Sequence, residues 1–89
     1  MAATFHFEIL TPSRREFDEQ VVSIIVPGEL GYLGVLANHA PLITTLSMGR
    51  LKVTFEGNQD AYYRISGGLL KVAHNQAVLL TESIEESSA

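Results

Sequence analysis

The sequence predicts a single all-β domain of the sandwich or barrel class, and three observations carry that prediction. Apolar residues recur at alternate positions in run after run. Turn-forming residues separate those runs at short, regular intervals. No window carries an apolar stripe at helical spacing over three turns. At 89 residues the chain has the length of one domain. A domain of this size buries only about 60–65% of the surface that its unfolded chain exposes, so the core is adequate but thin. No repeat, linker or low-complexity segment divides it.

Along the chain, residues 4–9 (TFHFEI) alternate, with Phe5, Phe7 and Ile9 inward and His6 and Glu8 outward. Residues 11–14 (TPSR) read as a turn, with Glu16, Asp18 and Glu19 clustered around it. Residues 21–27 (VVSIIVP) are almost continuously apolar and β-branched, which predicts a central strand covered on both faces. Pro27 should end it, because proline has no N–H for a ladder. Residues 31–46 (GYLGVLANHAPLITTL) are unusually apolar for a connection. Part must be a short strand, and the rest either folds under the sheets or faces another protein.

Residues 50–56 (RLKVTFE) place Leu51, Val53 and Phe55 on one face and Arg50, Lys52, Thr54 and Glu56 on the other. Gly57-Asn58 marks a hairpin, since both residues tolerate positive φ. Residues 60–66 (DAYYRIS) set Ala61, Tyr63 and Ile65 against Tyr62, Arg64 and Ser66. Ser66, Gly67 and Gly68 break the next run. Residues 73–76 (AHNQ) form a tight turn with Asn75 at a left-handed position. The last strand is roughly residues 77–83 (AVLLTES). Ser83 and Glu86 match a capping box, but no apolar face follows, so the acidic end should fray.

Composition narrows the function. Hydrophobic residues make up 46% of the chain, which suits a globular fold. The absence of cysteine excludes disulfides and cysteine-based zinc or redox sites. Net charge is −4 and the six basic residues are scattered, so nucleic acid is not an expected partner. The longest apolar runs fall far short of the ~20 residues that span a bilayer. The N-terminus has no positive start before an apolar block, so it is no signal peptide. The expectation is a soluble intracellular domain that reaches a membrane only through a protein partner.

Candidate chemistry is sparse. His6, His39 and His74 lie far apart in sequence, without the paired spacing of a zinc site. His6 and His74 read as exposed polar positions. Glu8, Glu56 and Asp60 fall on outward faces or turns, and Glu82, Glu85 and Glu86 in the tail. No nucleophile elbow, phosphate loop or dinucleotide fingerprint occurs. The reading is therefore no catalytic, cofactor-binding or metal residues and no small-molecule substrate. Gly31, Gly34, Gly67 and Gly68 read as bends or close backbone approaches. A phosphate site would need a helix N-terminus after them.

Three longer blocks carry a resemblance. Residues 26–53 (VPGELGYLGVLANHAPLITTLSMGRLKV) resemble the VxGxxGxLGVLPxHAPLxTxLxPGxLxI pattern of the epsilon subunit of F-type ATP synthases. Residues 63–85 (YRISGGLLKVAHNQAVLLTESIE) resemble that family's YxVSGGFLEVxxNxVTVLADxAE, and residues 4–28 fit its first strands. The match spans roughly residues 4–84. The GVLANHAPL and SGGLLKV blocks are specific together, and each alone is only suggestive.

The resemblance implies a ten-stranded β-sandwich over residues 1–84, followed by a short acidic tail at 85–89. It implies a non-catalytic rotor subunit of the proton-translocating synthase, peripheral to the cytoplasmic face of the bacterial inner membrane. One side would pack on the gamma subunit and the bottom on the polar loops of the c-ring, so that ring rotation drives ATP synthesis elsewhere. The gamma-facing positions would be Thr11, His39 and Thr44. The ring-facing loop would be Glu29, Leu30, Gly31 and Tyr32. Tyr32 stands where many members have an acid, and Glu29 is the nearest substitute. Met48 replaces a proline before Gly49. The family's two C-terminal helices, with their inhibitory role and ATP site, have no counterpart in these residues. The chain is then either a naturally short member or a piece of a longer one, and the tail, which lacks the acid-x-x-Arg-Ala start of those helices, favours the first. The alternatives are a free-standing binding module using the apolar stretch from Tyr32 to Leu42, and an enzyme, whose signature would be two converging perturbed carboxylates.

Overall fold

A computed structural model describes residues 2–88. Met1 and Ala89, the outer bounds of the expected domain and tail, lie outside the described residues. Ten strands run in the order β1 (Phe5–Leu10), β2 (Arg15–Val21), β3 (Ser23–Gly28), β4 (Gly31–Leu36), β5 (Leu42–Leu46), β6 (Gly49–Phe55), β7 (Gln59–Ile65), β8 (Gly68–Ala73), β9 (Gln76–Leu80) and β10 (Ile84–Ser87). They hydrogen-bond along the path β10-β7-β6-β3-β5-β8-β9-β1-β2, with β4 on β3.

The path turns its corner at β3. That strand pairs with β6 through Ser23, Ile24 and Ile25, but meets β5 only at Gly28 opposite Leu46. One layer is thus β10-β7-β6-β3-β4 and the other β5-β8-β9-β1-β2. The far end folds back on the first layer: the Phe17 ring of β2 lies 6.1 Å from Phe55 of β6 and 6.1 Å from Tyr63 of β7. This is the expected all-β sandwich.

The alternation read from the sequence places the core. Phe5, Phe7 and Ile9 are buried while their neighbours on β1 are only half-buried. Leu51 and Val53 of β6, Leu70 and Val72 of β8, and Ala77 and Leu79 of β9 join them in one cluster. Gly57 and Asn58 take φ of 90° and 62°, as their hairpin demands. Asn75 is left-handed at φ 59°, and His74 beside it at 54°, the paired positive φ of a tight hairpin turn.

Five expectations need correction. Glu16, Asp18 and Glu19 are not around a turn but within β2, opposite β1. Only Phe17 and Val21 of β2 are buried and Glu19 between them is exposed, so the two-residue period is broken. Charges of this kind protect a sheet edge, and β2 ends the path.

Residues 21–27 are not one strand covered on both faces. Val21 ends β2, Ser23 starts β3, and Val22 donates its N–H to Thr54 O at 2.8 Å between them. Ile24 and Val26 are buried, yet Ile25 is 38% exposed. Pro27 does not end the strand. It sits inside β3 opposite Tyr32, at a pair that needs no donor from it.

The apolar stretch 31–46 holds two strands, β4 and β5, rather than one. Residues 84–87 do not fray: Ile84 packs against the core, and β10 pairs with β7, Ile84 opposite Ile65. The open edge of β7 supplies backbone partners, and such partners require no apolar period.

Candidate functional site

The layer β5-β8-β9-β1 presents an apolar outer face. Cross-strand register aligns Ile43, Lys71, Val78 and Glu8 in one row and Thr45, Leu69, Leu80 and Leu10 in the next. Ile43 is 66% exposed and Leu80 44%. Leu10, Leu69 and Val78 are half-buried beside them. At the Leu10 end opens a cleft of about 480 Å³ lined by Thr11, Pro12, Leu69, Leu80 and Thr81 among others. A contiguous apolar surface of this kind marks an interaction site more often than a solvated face.

The predicted contact residues do not form one cluster. Thr11 follows β1 in the turn to β2; its N–H bonds Arg14 O at 3.0 Å and its hydroxyl lies 3.2 Å from Glu16 Oε2. His39 lies between β4 and β5, half-buried. Its Nδ1 is 2.7 Å from Ala40 O. A carbonyl only accepts, so Nδ1 carries the proton and Nε2 remains available. The loop is tied at the other end of β1: Asn38 donates its N–H to Asn75 Oδ1 at 2.7 Å, and Asn75 Nδ2 donates to Thr4 O at 3.0 Å. A strand of this length spans roughly 20 Å, so Thr11 and His39 bracket the apolar face rather than meeting.

Asn75 should therefore matter more than its exposure suggests. Asn75→Ala removes two hydrogen bonds, each worth about 0.5–1.5 kcal/mol, and a residue suited to left-handed φ. The expected loss is about 2 kcal/mol, read as a lower urea midpoint at unchanged slope. Faster amide exchange at Asn38 should accompany it.

Thr44 groups with the other predicted surface. It lies on β5 opposite Leu70, and with Glu29, Leu30, Gly31, Tyr32 and Thr45 it lines a cleft of about 440 Å³. Glu29 and Leu30 form the two-residue bend between β3 and β4, and Gly31 has φ 135°. Leu30 stands fully exposed at the tip. Glu29 is held down on β5: Thr45 Oγ1 donates to its carboxylate, and its own N–H reaches Thr45 O at 3.4 Å. Tyr32, 66% exposed, lies over Pro27 and Gly49, where an added Cβ would come within 3.4 Å of the Tyr32 hydroxyl.

One constellation escaped the sequence reading. His6 Nε2 lies 2.6 Å from Asp18 Oδ1, and Arg15 bridges Glu8 at 3.3 Å and Asp18 at 3.2 Å. His6 is thus half-buried beside the two carboxylates that Arg15 pairs with, not simply exposed. The groups come from two strands through the pairs His6 opposite Gln20 and Glu8 opposite Asp18, which only knowledge of β2 would have revealed. His6, Glu8 and Asp18 offer three ligand atoms within 4.8 Å of one another. The Arg15 guanidinium already lies between the two carboxylates and supplies the positive charge there. Burial raises the Tyr63 phenol above its ordinary value, with Glu86 and Glu19 adding to the rise.

The family model described as "ATP synthase, Delta/Epsilon chain, beta-sandwich domain" matches residues 4–87. An ATP synthase epsilon chain from Dichelobacter nodosus is 37% identical over 82 residues, covering 92% of this chain and 57% of the relative. One from Chlorobaculum tepidum is 35% identical over 80 residues, covering 90% of this chain and 91% of the relative. The chain thus spans little more than half the length of the first relative and nearly all of the second. A chain in the Euglena gracilis mitochondrial ATP synthase (OSCP/F1/c-ring, rotational state 1) superposes with a TM-score of 0.90 at 26% identity, covering 97% of this chain and 55% of that one.

Proposed function

Because this chain belongs to the ATP synthase delta/epsilon chain β-sandwich family, we propose that it is a non-catalytic element of the central stalk. In this reading it joins the gamma subunit to the membrane c-ring, so that ion-driven rotation of the ring reaches the sites of ATP synthesis. The observation that carries the reading is the apolar outer face of β5-β8-β9-β1, bracketed by Thr11 and His39. Gamma would cover Ile43, Leu69, Val78 and Leu80, with Thr11 and His39 Nε2 offering polar contacts at the two ends. The exposed tip Glu29–Tyr32 would rest on the ring, with Thr44 behind it supporting the bend. Glu29, fixed by Thr45, would supply the acid that Tyr32 does not.

The mechanics follow from the packing. An element that transmits torque must deform little, and a closely packed β core has low compressibility. No helix among the described residues is long and apolar enough to cross a membrane. Attachment would run through the ring, at the cytoplasmic face of the membrane in a bacterium.

The test is binding to purified gamma. Ile43→Glu together with Leu80→Glu should weaken binding about a hundredfold, since charges would replace buried apolar contacts. His39→Ala should weaken it several-fold while leaving stability within about 0.5 kcal/mol. Unchanged binding of the double variant would overturn the assignment of this face. Normal assembly and ATP-driven proton pumping in cells lacking the chain would overturn the whole role.

A further inference from the structure

The opposite outer face, on β3, β4, β6 and β7, carries different chemistry. Register aligns Gly34, Ile25, Lys52 and Tyr62 in one row, and Arg50, Arg64 and Glu85 in the next. With Tyr32 over Gly49, this surface forms an open cleft of about 440 Å³. Three of the six basic residues of a chain with net charge −4 line it.

These cations are placed at a cost. Arg50 and Arg64 stand directly opposite each other, and like charges in that position destabilise a sheet by a few tenths of a kcal/mol or more, up to about 1 kcal/mol. Elsewhere Arg14 pairs with Glu16, and Arg15 with Glu8 and Asp18. Within the cleft Lys52 reaches Asp60 at 3.8 Å. Arg50 and Arg64 form no ion pair among the described residues, although Glu85 lies in register with Arg64. Protection of a sheet edge does not account for them, because β6 and β7 are both interior strands. The Arg50 guanidinium sits 5.7 Å from the Tyr62 ring centroid, a cation–π contact that holds it in place.

We propose that this cleft docks an acidic segment of a protein partner, in which a carboxylate lies next to an aliphatic or aromatic side chain. The two guanidinium forks would take the carboxylate, the arrangement arginine serves better than lysine. The neighbouring apolar side chain would cover Ile25, which is exposed and lies outside the tip assigned to the ring. Charge complementarity favours a peptide over an anionic bilayer. Three cations gain only about 1 kcal/mol each at a lipid surface, and the acid surplus of the rest of the chain opposes that approach. The inference stands apart from the gamma contact, because the two faces belong to different layers.

The experiment titrates the isotope-labelled chain with an acetylated, amidated octapeptide of alternating Glu and Leu, and with its Gln-for-Glu analogue. Amide shifts should concentrate at Ile25, Arg50, Lys52, Tyr62 and Arg64 for the acidic peptide and be absent for the neutral one. The Arg50→Gln, Arg64→Gln double variant should bind about tenfold more weakly, while Lys71→Gln binds as the parent does. Both variants should remain folded, since the first relieves a repulsion and the second alters an exposed side chain. Equal binding of the two peptides, unchanged binding by the double variant, or shifts centred elsewhere would overturn the proposal. So would arginine-dependent capture by phosphatidylglycerol vesicles without peptide binding, which would assign the cleft to lipid.

Discussion

Gly68→Ala should lower the melting temperature by about 15–30 °C, a larger effect than any surface change described above. Gly68 holds φ at +143°, where a non-glycine residue costs about 1–3 kcal/mol. The added methyl would also lie 1.8 Å from Leu80 O and 2.9 Å from Leu80 C. That backbone has nowhere to go. Leu80 is paired on both sides, with Leu69 of β8 and Leu10 of β1, and Thr81 donates its N–H to Leu10 O at 3.0 Å. Relieving the overlap must break ladder bonds near the cleft at Thr11. The combined loss is about 3–5 kcal/mol, and in a domain of this size each kcal/mol moves the midpoint by about 4–8 °C. Gly34→Ala is the control. A methyl there meets nothing within 4 Å, and no positive φ constrains it, so its midpoint should barely move. A Gly68→Ala chain that melts within 5 °C of the parent would show that the backbone at Leu80 yields.

The contrast between these two glycines shows what a sequence conceals. Both read as bends or close approaches, and only the neighbouring strand distinguishes them. The same holds for the strands. β1, β6 and β7 were legible because one face is buried and the other wet, so burial writes a period of two into the residues. β2 and β10 were not, because each is an edge strand with too few inward side chains to write a period: Phe17 and Val21 on β2, Ile84 on β10. Missing β2 also hid the His6, Glu8, Asp18 and Arg15 network, whose members meet only through the β1–β2 register. The basic residues of β6 and β7 were visible as outward positions. Their direct opposition depended on the hairpin register, which pairs Phe55 with Gln59 and so Arg50 with Arg64. The apolar outer face was hidden for a related reason: its rows are assembled from three separate parts of the chain, β1, β5 and the β8–β9 hairpin.

Phe17→Ala is the other change with a large expected effect, because this ring closes the sandwich. It is 8% exposed although β2 is an edge strand. Its centroid lies 5.5 Å from Phe7, 6.1 Å from Phe55 and 6.1 Å from Tyr63, the last edge-on at 77°. Truncating a buried phenylalanine costs about 3–5 kcal/mol, and each aromatic pair contributes about 0.5–1.5 kcal/mol beyond its area. Val21 would then be the only buried side chain left on β2, so amide protection should fall along β2 more than along β8 or β9. A second readout separates loss of closure from general destabilisation. The Tyr63 phenol is raised first by burial, then by Glu86 and Glu19. The folded chain therefore keeps its proton after the unfolded chain has begun to lose it near pH 10, the ordinary value. Native stability should fall as pH rises through that region, because there the unfolded state binds fewer protons. Phe17→Ala opens Tyr63 to water, so its titration should move down toward the ordinary value and the alkaline loss of stability should shrink. A variant that loses less than about 1 kcal/mol, or leaves the Tyr63 titration in place, would mean that the two layers are joined elsewhere. With both changes present, the rigidity that the proposed torque transmission requires is traced to one ring reaching from the charged edge strand across to β6 and β7.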